Sequence, residues 1–143
     1  MIKFAFSRRD SSPPHGFELG DIVVDGSEGV ADSRGHVPDR GMMVYVTLVA
    51  LVDGARKLLE AKGRHSFELV GTGSSFSLVF LTNPKTSSIH VRSNGNIGSA
   101  KYSDFKAAVW DAATEFVDAN PLETTDPVHD DLANALRRVN PRP

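Results

Sequence analysis

"SFELVGTGSSFSLVF", residues 66–80, is the stretch on which the fold turns. Gly71 and Gly73 follow a strand-like run and supply the first two glycines of a dinucleotide-binding turn, G-x-G-x-x-G. Such a cradle needs a helix after it, because the phosphate is held by the unpaired N–H groups and positive dipole end of that helix. Here Phe76, Leu78 and Phe80 alternate instead with Ser75, Ser77 and Val79, the period of two that belongs to a strand. The third glycine position is Phe76, too bulky for close helix–strand packing. The stretch therefore predicts a β-hairpin turn and argues against a nucleotide site.

Working outward, "HSFELVG", "SFSLVFL" and "SSIHVRS" are three short runs separated by "TGS" and "TNPKT" and closed by "NGN", which predicts an antiparallel meander. Upstream, "IKFAF" (2–6) and "FELGDIVV" (17–24) read as strands around the breaker "SRRDSSPPHG". Residues 26–41 read as loop with one short strand near Val30. From Met42 the period changes: Leu48, Leu51, Val52, Ala55, Leu58 and Leu59 recur at spacings of three and four, a helical stripe that Gly63 ends. Its first half is apolar nearly all round, which predicts a central helix covered on more than one side; a strand over 43–50 is the competing reading. From Ser103 as N-cap, Phe105, Ala108, Val109, Ala112 and Phe116 form the apolar face of a second helix ended by Asn120-Pro121, with Trp110 on its flank. Pro127 opens a short last helix through Val128, Leu132, Leu136 and Val139. The expected architecture is one α+β domain over residues 1–143, with an antiparallel sheet of about five strands, two main helices packed on it and a short C-terminal helix.

Composition narrows function mainly by exclusion. The 143 residues include no cysteine, so disulfides, thiolate nucleophiles and thiolate metal sites are ruled out. The net charge of −2 gives no overall pull toward nucleic acid or an anionic membrane, and the longest apolar run, residues 42–52, is far short of the ~20 residues of a spanning helix. No leader-type apolar segment follows Met1, which leads to the expectation of a cytoplasmic protein. The five histidines stand at 15, 36, 65, 90 and 129 without any metal-ligand spacing, and no G-x-S-x-G elbow is present. Asp53 interrupts the first helix and reads as solvent-facing or paired with Arg56, since buried carboxylates are rare. No catalytic, metal-binding or cofactor-binding residue is assigned, and no cofactor is expected.

One pattern remains. Between Ala107 and Leu136 the chain has seven acidic residues and no lysine or arginine. On the second helix Asp104, Asp111, Glu115 and Asp118 fall within about 60 degrees of one another at 100 degrees per residue. A charged stripe usually solubilises, but it also suits a partner with a basic surface.

"MMVYVTLVALVDGARKLL" (42–59), "FELVGTGSSFSLVF" (67–80) and the acidic "AVWDAATEFV" (108–117) resemble a family of small uncharacterised actinobacterial proteins found near immunity proteins of bacterial toxins. The resemblance spans about residues 17–139. It implies a small cytosolic α+β domain that blocks a toxin through a charged surface, and it carries no catalytic residue. The leading expectation is a non-catalytic protein-binding module, with an immunity-type inhibitor as its specific form. It would act through Asp104, Asp111, Glu115 and Asp118, with loop 26–41 in support. Its partner would be another protein, with neither nucleic acid nor membrane involved, and a homo-oligomer is left open. The alternative is a small enzyme or ligand-binding protein with a pocket between the central helix and the sheet.

Overall fold

The computed structural model describes residues 1–139. It is an α+β arrangement of two four-stranded antiparallel sheets and three helices. The first sheet joins β1 (Ile2–Arg8), β2 (Leu19–Gly26) and β3 (Val30–Asp32) in that order, with β4 (Met42–Met43) also paired to β2. The second runs β5 (Ser66–Val70), β6 (Ser77–Asn83), β7 (Ser88–Arg92) and β8 (Asn96–Lys101) as a meander. The helices are α1 (Val44–Glu60), α2 (Tyr102–Ala119) and α3 (His129–Val139).

The hairpin reading of residues 66–80 holds. Val70 pairs with Ser77 and Phe67 with Phe80. The connecting turn closes on itself: Gly71 N–H donates to Phe76 C=O at 2.8 Å, Ser74 N–H donates to Gly71 C=O at 2.9 Å, and Gly73 has a positive φ of 74°. That conformation is open to glycine at little cost and is strained for other residues. The turn is fastened to the start of α1, where Met43 N–H donates to Thr72 C=O (2.9 Å) and Thr72 N–H donates to Thr47 Oγ1 (3.0 Å). The glycine pair thus seats a hairpin on a helix.

Eight strands in two sheets replace the expected single sheet of about five. β3 and β4 are three and two residues long. β8 is built from "NIGSAK", whose Asn, Gly and Ser weaken strand propensity. Cross-strand pairing supplies what local preference lacks, from Ser88↔Lys101 through Val91↔Gly98. Met42 and Met43 pair with β2 before the helix begins, so α1 starts at Val44. Ser103 is not the cap of α2: Lys101 holds that position without a side-chain hydrogen bond, because the chain enters the helix directly from β8. Pro127 likewise precedes α3, which begins at His129.

α1 is central, with Val44, Tyr45, Leu48, Leu51, Val52, Ala55 and Leu58 buried against β5, α2 and α3. Its all-round apolar first half follows from that position. Gly54 faces the ring of Phe67, where an added Cβ would lie 2.2 Å from the nearest ring carbon. Tyr45 is fully buried, and its hydroxyl donates to Asn120 C=O at 2.7 Å, tying the start of α1 to the end of α2. Burial, with Glu18 nearby, pushes its pKa up to about 12. Phe105, Val109, Ala112, Ala113 and Phe116 form the buried face of α2, and Trp110 is half-buried on its flank. Phe4, Phe80 and Phe105 meet in a triangle with centroid separations of 6.2, 6.1 and 5.6 Å, joining β1, β6 and α2. Phe116 meets Phe6 and Tyr45 at 6.1 and 5.1 Å.

The segments around the first sheet are held by ions. Arg8 pairs with buried Glu18. Arg9 donates to Asp21 at 2.9 and 3.1 Å and to Asp39 at 2.6 and 2.7 Å, while Ser33 Oγ–H donates to Asp21 at 2.8 Å. Asp39 in turn accepts Gly41 N–H at 2.8 Å. Much of loop 26–41 is thereby fixed to the strand end at Arg9.

Two measurements test this packing. Phe116→Ala should cost about 3 to 5 kcal/mol in chemical denaturation, the usual result of removing a buried ring; an unchanged midpoint would mean the ring is not in the core. Arg9→Ala should cost about 1 to 3 kcal/mol at neutral pH by leaving buried Asp21 short of a donor. The lower end is favoured because the Arg9 side chain is 34% exposed. Arg9 holds the pKa values of both Asp21 and Asp39 below the ordinary carboxylate range, with Ser33 also lowering Asp21 and Gly41 N–H also lowering Asp39. Depressed carboxyls stabilise above the unfolded value near about 3.9 and lose that contribution as pH falls through the folded value. The gap between wild type and variant should therefore narrow below about pH 4; a gap independent of pH would assign the role of Arg9 to packing alone.

Candidate functional site

Asp104, Asp111, Glu115 and Asp118 are all exposed on α2, on one side of its buried face. The geometry adds a groove. Asp104, Asp111 and Glu115 line an open cavity of about 940 Å³ between α2, the start of β1 and the end of β8. Its small side chains are Ala100, Ala107, Ala108 and Ala112, and Lys3 and Lys101 stand on its strand side. A smaller continuation of about 250 Å³ follows β1 from Lys3 to Phe6 and reaches Glu115, Ala119 and Asn120 on α2. Asp118 lies outside both linings, further along the helix.

The electrostatics of α2 run against its own stability. Among the described residues none of the four acids forms an ion pair. Lys101, three residues before Asp104, donates to Thr86 C=O at 2.8 Å. Asp104 sits in the first turn, where the helix dipole favours an acid, but the last turn has no basic residue and contains Asp118 at the negative end. Asp111 and Glu115 are four apart and repel by a few tenths of a kcal/mol. α3 shows the opposite arrangement, with Asp130 and Asp131 in its first turn and Arg137 and Arg138 in its last. α3 follows the dipole rule at both ends, whereas α2 departs from it in its last turn, at Asp118.

A second cleft of about 470 Å³ lies between α1 and β5, lined by Asp53, Lys57, His65 and Phe67 among others. Asp53 is neither solvent-facing nor paired with Arg56: it is half-buried, its Oδ1 has no hydrogen-bond partner among the described residues, and Arg56 bonds Glu60 at 3.2 Å. His65 Nε2 is 2.6 Å from Lys62 C=O. Among the described residues no group of three or more His, Asp or Glu side chains is placed to hold a metal ion. No helix of the described residues is long and apolar enough to cross a membrane.

The sequence marked the acidic stripe but not the surface opposite it. Lys3, Lys101 and the border of β1 come from positions about a hundred residues apart, and no local pattern reveals that they share a groove.

Asp118→Lys should raise stability by about 0.3 to 1 kcal/mol by placing a cation at the helix C-terminus. Urea denaturation of wild type and variant reads this directly, and a loss of stability would mean that Asp118 makes a favourable contact. No protein-family model matches the chain, and no curated protein or solved structure matches it significantly.

Proposed function

We propose that this protein is a non-catalytic protein-binding module, an inhibitor of the immunity type acting in the cytoplasm, whose α2 acids receive the basic surface of a partner protein. The observation that carries the reading is the set of unpaired acids on α2, kept at a cost to the helix beside an open groove. Sites that depart from the local stability rules are where function is expected. Asp104, Asp111 and Glu115 border the groove and Asp118 extends the same charge beyond it. A field of one sign at such a surface steers association with an oppositely charged partner and speeds encounter.

A second reading, a small enzyme or ligand-binding protein, is favoured by the cleft between α1 and β5, where the unpartnered Asp53 Oδ1 could receive a donor from a small molecule. It predicts binding that ignores the charges of α2.

The test reverses Asp111, Glu115 and Asp118 together to lysine. A partner captured by crosslinking to the wild-type protein is then mixed with each form in stopped flow at two salt concentrations. The expected outcome is slower association for the variant at low salt, with the difference shrinking as screening shortens the Debye length to about 8 Å at physiological ionic strength. Equal association rates at low salt would sink the acidic-face reading. The fold should survive, since exposed charges contribute only about 0 to 1 kcal/mol each.

A further inference from the structure

The acids have a neighbour of a different kind, the outer edge of β1. β1 is seven residues long and pairs on one side only, with β2, in an unbroken register from Ile2↔Gly26 to Arg8↔Gly20. Which of its backbone groups point outward follows from β2. Ile22 turns both backbone groups away from β1, its N–H donating to Ser33 Oγ and its C=O accepting from Ser33 N–H, each at 3.0 Å. Alternation along an antiparallel ladder then aims Asp21, Val23 and Asp25 at β1. Their partners Ser7, Ala5 and Lys3 are bonded inward. Ile2, Phe4 and Phe6 therefore present N–H and C=O on the outer edge.

That edge opens into the groove. Successive side chains of a strand point to opposite faces, yet Ile2, Lys3 and Phe4 all line the main cavity and Lys3 through Phe6 all line its continuation. What consecutive residues share is the strand edge. Long, regular edges are normally guarded by charged side chains, proline, bulges, brevity or a covering element, and β1 carries one such charge, Lys3, at the groove. β3 and β4 are short, β8 pairs through an irregular register at Val91 and Arg92, and β5 and β1 each pack against a helix, α1 and α2 respectively. β1 has no proline and no bulge, and across the groove from it stand Asp111 and Glu115.

We propose that the groove receives an extended segment of the partner protein, which adds to β1 as a further antiparallel or parallel strand and directs alternate lysine or arginine side chains toward Asp111 and Glu115. Main-chain hydrogen bonds to Ile2, Phe4 and Phe6 give the segment its seat, and the alternate charges select it. The alanines of α2 keep the helix side low enough for a backbone to pass. The proposal rests on the acidic-face reading and adds to it the conformation and charge spacing of the partner.

The experiment selects random displayed peptides on the immobilised full chain and then follows one synthetic winner by amide hydrogen exchange. Lysine or arginine should be enriched at every second position. On binding, exchange should slow at Phe4 and Phe6 and stay unchanged at Lys3, Ala5 and Ser7, which are already bonded to β2. N-methylation of the peptide on its pairing register should weaken binding about tenfold, while methylation on the other register should not. Because that change is made in the peptide, folding of the protein is not at risk. Basic residues enriched at spacings of three and four, with binding lost on Glu115→Lys but insensitive to N-methylation, would overturn the strand mode and leave the acidic-face reading intact. Protection of Phe4 and Phe6 that grows with protein concentration in the absence of peptide would give the edge to a second copy of the chain and overturn the proposal. Enrichment without basic residues, or none at all, would count against both readings.

Discussion

Three rings hold this structure in register: Phe4 of the first sheet, Phe80 of the second and Phe105 of α2. The two sheets are not joined by a common ladder; isolated backbone bonds such as Met43 N–H to Thr72 C=O link them, and packed side chains supply the rest of their relative placement. Aromatic contacts at these separations and tilts supply both apolar burial and a preferred geometry. Phe67 extends the cluster by stacking on Phe80 at 5.8 Å, and the glycine at position 54 makes room for that ring against α1. The same triangle sets where α2 runs relative to β1, and with it the width of the groove.

How far the sequence disclosed this depends on whether the signal was local. The hairpin over residues 66–80 was legible because alternation and turn chemistry agreed, and the apolar face of α2 was legible because Phe105, Ala112 and Phe116 keep the helical period. β8 was not, because Asn96, Gly98 and Ser99 become strand only when β7 lies beside them. The entry to α1 misled for a related reason, since Met42 and Met43 have the apolar character of the helix but pair with β2. Of the candidate site, the acidic stripe could be read from spacing alone, whereas the edge of β1 could not: a strand pattern does not say which side will go unpaired. Asp53 shows the limit of a base-rate argument, its carboxylate being half-buried without the expected arginine.

The contrast between α2 and α3 separates stability from use more sharply than either helix does alone. α3 is short and sits at the border of the fold, and its charges follow the order that its dipole rewards. α2 is long and deeply packed through Phe105, Val109 and Phe116. With that much apolar anchoring, a helix tolerates several tenths of a kcal/mol of repulsion at its surface without loss of structure. The core of α2 thus frees its outer face from stabilising duty, and the ion pairs around Arg8 and Arg9 lie elsewhere, on the N-terminal segments.

The aromatic triangle also has a consequence for vectorial synthesis. β1 and β2 are translated first and can pair as a hairpin early, but the covering residues Phe80, Phe105 and Phe116 emerge later. At about 5 to 20 residues per second, the roughly one hundred residues between Phe4 and Phe105 take about 5 to 20 s to appear. Through that interval Ile2, Phe4, Ile22 and Val24, all buried in the finished fold, have no cover. α2 carries both the core rings Phe105 and Phe116 and the exposed acids, so appearance of the acidic face and closure of the core are one event in time.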